Sequence, residues 1–124
     1  MVLMSITAKS QAHLIGMTYP ELRAELKTNN DLTFMGNKTT EGITMVHYKN
    51  ILTNDDNSFL FENGICRMYS RVSNKENLIQ FIQRLNETST KVNENTWIDP
   101  KNIYRIELRY IKDNPYYAVD YTKI

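Results

Sequence analysis

The stretch SFLFENGICRMYSRVSNKENLIQFIQRL, residues 58–85, places two apolar-rich runs on either side of Asn63-Gly64. A two-residue type I′ turn needs positive φ at both central positions, and Asn-Gly is among the pairs that adopt it most readily. The pair therefore predicts a tight hairpin. The second run is expected to end at Ser73. Ser73 and Glu76 have the S-x-x-E spacing of a capping box, in which each side chain satisfies an orphan backbone N–H at a helix start. A helix from about Asn74 to Asn86 is expected to follow. Leu78, Ile82 and Leu85 lie at helical spacing, and Ile79 and Phe81 widen the apolar stripe. The stretch thus reads as strand, tight turn, strand and capped helix. It dictates architecture and carries no chemistry.

On the N-terminal side, Thr18 and Glu21 form a second capping box, with Pro20 in the first turn and Met17 and Leu22 at staple positions. The helix is predicted to run to about Lys27, with Leu22 and Leu26 on its buried stripe. Leu32 to Met35 reads as a short strand, Gly36 to Gly42 as a polar turn region, and Ile43 to Leu52 as a longer strand. Asn54 to Asn57 reads as a loop.

On the C-terminal side, Thr88 to Asn95 is polar. Trp97-Ile98 is extended and is stopped by Asp99-Pro100. From Ile103 to Lys112 the chain alternates, with Tyr104, Ile106, Leu108 and Tyr110 opposite Arg105, Glu107 and Arg109. Tyr116 to Thr122 alternates again, with Tyr117, Val119 and Tyr121 opposite Ala118, Asp120 and Thr122. Alternation of this kind marks strands with one wet face. The expected fold is α+β and two-layered, with an antiparallel sheet of six to seven strands and two helices on one face. The expected order is α-β-β-β-β-α-β-β-β.

A chain of 124 residues is the size of one domain and can bury a core without metal or disulfides. The hydrophobic share of 41% and charged share of 23% are those of a globular protein. A net charge of +1 provides no field toward nucleic acid or an anionic membrane. Cys66 is the single cysteine, so no disulfide within the chain can form. No apolar run approaches the roughly 18–20 residues of a membrane span. Residues 1–12 combine the apolar Val2-Leu3-Met4 with small residues from Ala8 to Ala12. They read as the tail of a secretory signal or as a disordered arm, with a single domain over residues 13–124. The first reading implies a periplasmic or secreted protein, the second is equally consistent with the cytoplasm.

Catalytic, cofactor and metal constellations are not evident in the pattern. His13 and His47 stand apart from any nucleophile, Cys66 lacks an activating base, and Asp55-Asp56 lacks the spacing of a calcium loop. The four glycines are dispersed and form no phosphate loop. Strand parity instead groups Arg67, Tyr69 and Arg71 opposite Cys66, Met68 and Val72. With Arg105 and Arg109 they form a candidate partner surface, because Arg and Tyr are enriched at protein interfaces. Cross-strand ion pairs on a solvated face account for the same residues. The alternative is a cytosolic small-ligand binder or minor enzyme with a pocket between helix and sheet, lined by Tyr104, Tyr110, Tyr117 and Trp97.

The stretch Ile15-Gly-Met-Thr-Tyr-Pro-Glu-Leu-Arg-Ala-Glu-Leu26 resembles the opening of the small periplasmic SmpA/OmlA (BamE-like) lipoproteins and of β-lactamase-inhibitor-like modules. Both place a capped helix before an antiparallel meander. The chain departs from the lipoprotein pattern in having no lipobox cysteine near residue 1. The resemblance implies an envelope-associated or secreted interaction module with a helix-plus-meander fold, and no cofactor is expected from the motifs. The expected function is therefore a non-enzymatic, exported domain that binds a protein partner through its sheet face.

Overall fold

The computed structural model describes residues 10–110 and 113–124. Most of the expected N-terminal arm lies outside the described residues. Gln11 and Ala12, which that arm was expected to include, are buried. Helix α1 spans Tyr19–Lys27, and helix α2 spans Leu78–Thr88. The strands are β1 (Leu32–Thr40), β2 (Ile43–Asn50), β3 (Asp56–Glu62), β4 (Ile65–Asn74), β5 (Thr90–Asn93), β6 (Thr96–Ile98), β7 (Tyr104–Tyr110) and β8 (Tyr116–Lys123). They form one antiparallel sheet in the order β1-β2-β3-β4-β8-β7-β6-β5.

The α+β class, the antiparallel sheet and the two helices agree with expectation, but the expected fold needs correction. The sheet has eight strands, not six to seven, and it dominates the fold. The order is helix plus four-strand meander, twice. The missed strand is β5, whose residues are all exposed. An edge strand with no buried face has no apolar alternation to betray it. The same reason hid the second half of β1. Asn37 to Thr40 were expected to be a polar turn, but they continue the strand. The turn is Glu41-Gly42, with φ of 51° and 83°.

Local rules hold well at the other turns. Asn63 and Gly64 have φ of 53° and 78°, the geometry a type I′ turn demands. At α1 both halves of the capping box form. Glu21 N donates to Thr18 Oγ1 at 3.3 Å, and Thr18 N donates to the Glu21 carboxylate at 2.9 Å. The backbone N–H and the hydroxyl of Thr18 both donate to the Glu21 carboxylate, at 2.9 and 3.0 Å, and hold it below its usual pKa.

The second expected capping box does not form. β4 stays extended to Asn74, and Ser73 is buried in it opposite Tyr117. Asn74 caps instead, accepting from Glu76 N at 2.8 Å, and a single 3-10 turn over Lys75–Asn77 precedes α2. Continuing the ladder to Tyr117 and Tyr116 gains two more strand pairs. That outweighs a cap set one residue earlier.

One face of the sheet, here called inner, carries the core. Leu22 and Leu26 of α1 and Leu85 of α2 join the same buried cluster as the inner residues of the strands. Both helices therefore cover this face. Val46, Phe59, Tyr69, Tyr121, Ile106 and Trp97 lie in one row across six consecutive strands. The rings of Phe59 and Tyr69 stack at 5.2 Å, and those of Tyr69 and Tyr121 follow at 5.4 Å. Side chains this large in register fill the layer under the helices, and the offset ring contacts add to the burial. Ile79, expected on the α2 stripe, is 71% exposed.

The N-terminal segment is fastened to the start of β4. Gly16 N donates to Cys66 O and Cys66 N donates to Met17 O, both at 2.8 Å. Cys66 is fully buried there, and burial pushes its thiol up to about 11. The thiolate is the reactive form, and at pH 8 a thiol of that acidity is only about 0.1% ionised. We expect the native chain to resist labelling by an aromatic disulfide reagent at pH 8 and to react fully once unfolded in guanidinium. Rapid labelling of native protein would contradict this burial.

Candidate functional site

The expected partner residues divide between the two faces of the sheet, and the cause is a β-bulge. In the ladder of β3 and β4, Phe61 pairs with Cys66 but Leu60 pairs with Met68. Arg67 is the extra residue. A bulge shifts parity by one. Beyond it Tyr69, Arg71 and Ser73 point inward with Cys66, whereas Met68, Ser70 and Val72 point outward. Tyr69 is 0% exposed and Arg71 is 4% exposed. The expectation that Tyr69 and Arg71 share a wet face with Arg67 is thus corrected. Arg67, Arg105 and Arg109 are exposed on the outer side.

The outer face has a clear composition. One row crosses all eight strands as Lys38, Met45, Leu60, Met68, Thr122, Arg105, Ile98 and Thr90. Met45, Leu60 and Met68 are adjacent and half-buried, and they make an apolar centre. Two ion pairs flank it. Lys49 meets Asp56 at 3.5 Å, and Arg109 meets Asp120 with both Nε and a terminal nitrogen. Asp120 also accepts from Ser70 Oγ at 2.5 Å. The hydrogen bonds that Arg109 donates to the Asp120 carboxylate raise its pKa further. Neither described helix covers this face.

The inner face holds a buried polar cluster around Arg71. Its guanidinium lies 4.8 Å from the centre of the Phe81 ring on α2. Asp55, also buried, lies within its electrostatic reach. Burial raises the Asp55 carboxyl above the ordinary value, against the pull of Arg71 and of the nearby Ser73 and Thr53 hydroxyls. Ser73 Oγ and Asp55 Oδ2 lie outside hydrogen-bond geometry with each other and with other described groups. Tyr69 donates a very short hydrogen bond to Asn57 Oδ1, and Tyr117 donates to Asn77 Oδ1 at 2.6 Å. Burial raises the pKa of both phenols.

Next to this cluster, a cleft of about 600 Å³ opens between α2 and the inner face. Of the four aromatic residues expected to line a pocket here, Tyr104 and Tyr117 do so, and Tyr121 and Phe81 join them. Trp97 does not. It is packed in the core, and its indole N–H donates to Asn86 Oδ1 at 3.0 Å. Tyr110 is exposed at the far end of β7. A pocket between helix and sheet was expected, but Arg71 in its lining was not, because that depends on the parity switch that turns Arg71 inward.

Among the described residues no group of three or more His, Cys, Asp and Glu side chains is placed to hold a metal ion, and no helix is long and apolar enough to cross a membrane. Compared with known proteins, the chain matches no family model, no curated protein and no solved structure.

Proposed function

We propose that this chain is an exported, non-enzymatic binding domain whose outer sheet face docks a folded protein partner. The observation that carries the reading is the Met45, Leu60 and Met68 centre on a face that neither described helix covers, rimmed by Arg67, Arg105 and the two ion pairs. An apolar centre with a polar, arginine-bearing rim is the anatomy of a protein interface. The size also fits. The eight strands average seven residues, about 23 Å, and at about 4.8 Å spacing they give a face on the order of 900 Å². That is about one partner's share of a standard interface. Export rests on the composition of residues 1–12 alone, and the resemblance of residues 15–26 to envelope modules points the same way.

The test uses Leu60→Arg, which sets a charge at the centre of the face while leaving the inner core untouched. Chemical crosslinking in extracts of the source organism, followed by affinity measurement with the identified partner, should show binding weakened at least tenfold. Losses of about 2 kcal/mol or more are usual when a central interface residue is spoiled. A control substitution on the helix side, Lys27→Glu, should bind normally. Equal affinity of Leu60→Arg and wild type would remove the outer face from the interface. Sedimentation of the purified chain should show a monomer, and a dimer dissolved by Leu60→Arg would make the occupant a second copy.

A further inference from the structure

We propose that the free edge of β1 binds an extended acidic peptide as a ninth strand, with carboxylate side chains at every second position against Arg23 and Lys27 of α1. The site lies at the rim of the sheet and does not rest on the outer-face reading above. The two edges of the sheet differ. β5 offers four residues and is broken by an irregularity between Lys91 and Asn93. β1 offers nine, and beyond the bulge at Met35 its last five, Gly36 to Thr40, pair with β2 without a break. Ile51 N donates to Asp31 O, and Asn50 N donates to Asp55 O on the opposite side. Carried along β2, this alternation turns Lys49, His47, Met45 and Ile43 toward β1, where they meet Thr33, Gly36, Lys38 and Thr40. Asn37 and Thr39 therefore present their N–H and C=O groups to the open side. Such an edge is a template for an incoming strand.

The helix beside this edge sets the chemistry of the added strand. Asn37 Nδ2 donates to the Tyr19 hydroxyl at 3.4 Å, and the Arg23 guanidinium lies 4.1 Å from the centre of the Phe34 ring. α1 thus runs alongside β1 in the opposite direction. Tyr19, Arg23 and Lys27, spaced four apart, form its flank toward the edge, and Glu21 and Glu25 fall on the far flank. Arg23 donates one bond to the Tyr19 hydroxyl at 3.0 Å. A guanidinium has five N–H donors, so others remain for a carboxylate. Among the described residues neither Arg23 nor Lys27 has a carboxylate within ion-pair distance. Four helical residues rise about 6 Å, and two strand residues rise about 6.8 Å. Acidic residues two apart on the added strand therefore match Arg23 and Lys27. On the outer side of the same edge, a hollow of about 420 Å³ is lined by Lys38, Thr40, Glu41, Ile43, Met45 and His47. It accommodates the intervening side chains of the added strand, and pockets for alternate side chains are what give strand addition its selectivity.

The probe is the peptide acetyl-Thr-Glu-Val-Glu-Val-Thr-amide. It is compared with a version carrying lysine at both glutamates and with one N-methylated at its four central amides, which keeps the charge but loses the strand donors. Isothermal titration calorimetry of the full chain at low salt should show the glutamate peptide binding about tenfold more tightly than the lysine peptide, because two attractions become two repulsions. The methylated peptide should not bind. Hydrogen exchange of the Asn37 and Thr39 amides should slow when the glutamate peptide binds, since both acquire partners. Thr39→Pro removes an edge donor without breaking a bond to β2, and it should weaken the peptide several-fold while thermal melting stays within a few degrees of wild type. Lys27→Glu, which lies away from the outer face, should weaken it several-fold as well. Equal affinity for the glutamate and lysine peptides, full affinity of the methylated peptide, binding of none at millimolar concentration, or protection confined to β5 would each overturn the proposal. So would a dimer that protects Asn37 and Thr39 in the absence of peptide, because the edge would then belong to a second copy.

Discussion

Arg71→Met lowers the stability of the folded chain by about 3–5 kcal/mol, the cost usually seen when one member of a buried charge cluster is removed. Total stability is on the order of 5–15 kcal/mol, so the variant is close to unfolding at room temperature. Methionine fills much of the same space against Phe81. The loss is therefore electrostatic, and it falls on Asp55, whose buried carboxylate loses the cation that draws its pKa down. Asp55→Asn in the Arg71→Met background should recover part of the loss. A double variant less stable than Arg71→Met alone would show that the two residues are not coupled. The effect depends on pH with a definite sign. Burial raises the Asp55 carboxyl in the folded state, so the folded chain keeps that proton over a range where the unfolded chain has lost it. Stability then falls as pH rises from the ordinary aspartate value through the raised one. Without Arg71 the carboxyl rises further and the range widens upward. The difference between variant and wild type should accordingly shrink as pH drops from 7 to 4. Urea titrations at several pH values measure this directly.

Phe59→Ala should cost about 3–5 kcal/mol, the range for deleting a large buried aromatic side chain. Phe59 is fully buried at the centre of the inner row. Its ring meets Tyr48 edge-on at 6.1 Å and stacks on Tyr69 at 5.2 Å. Removing it opens a cavity beside two rings that cannot close over the gap, because Tyr69 is held by its hydrogen bond to Asn57. Phe59→Leu, which keeps most of the volume, should cost less than half as much. Equal costs for the two variants would mean that the site collapses and that ring stacking contributes little.

These two sites also mark the limit of reading the chain from its residues. Local chemistry was legible where it is self-contained. Asn63-Gly64 required a type I′ turn whatever lay elsewhere, and Thr18 with Glu21 capped a helix from within four residues. The alternation of β7 and β8 was legible because one face is buried and the other is wet. Ser73 failed as a cap because a partner 44 positions away, Tyr117, holds it in the sheet. β5 was silent because an exposed edge leaves no apolar pattern. Arg71 was placed on the wrong face because the bulge at Arg67 has no composition of its own. Arg67, Arg105 and Arg109 lie exposed on the outer side, while Tyr69 and Arg71 belong to the buried side. Arg71 in the lining of the cleft was out of reach for the same reason, whereas the pocket itself, with Tyr104 and Tyr117, was expected.

The ladder between β4 and β8 has a kinetic meaning. Six of the seven strand pairings join neighbours in sequence, and only this one joins strands far apart. Each four-strand meander can zip from its own turns, with short loops to close and little entropy to overcome. The search for a long-range partner is concentrated in a single event, the meeting of two preformed edges at the middle of the molecule. Until that event, β4 and β8 are both open edges of the kind that pair with any available strand. The same ladder closed between two chains would produce an exchanged dimer, so the middle of the sheet is where refolding at high concentration is most exposed to error.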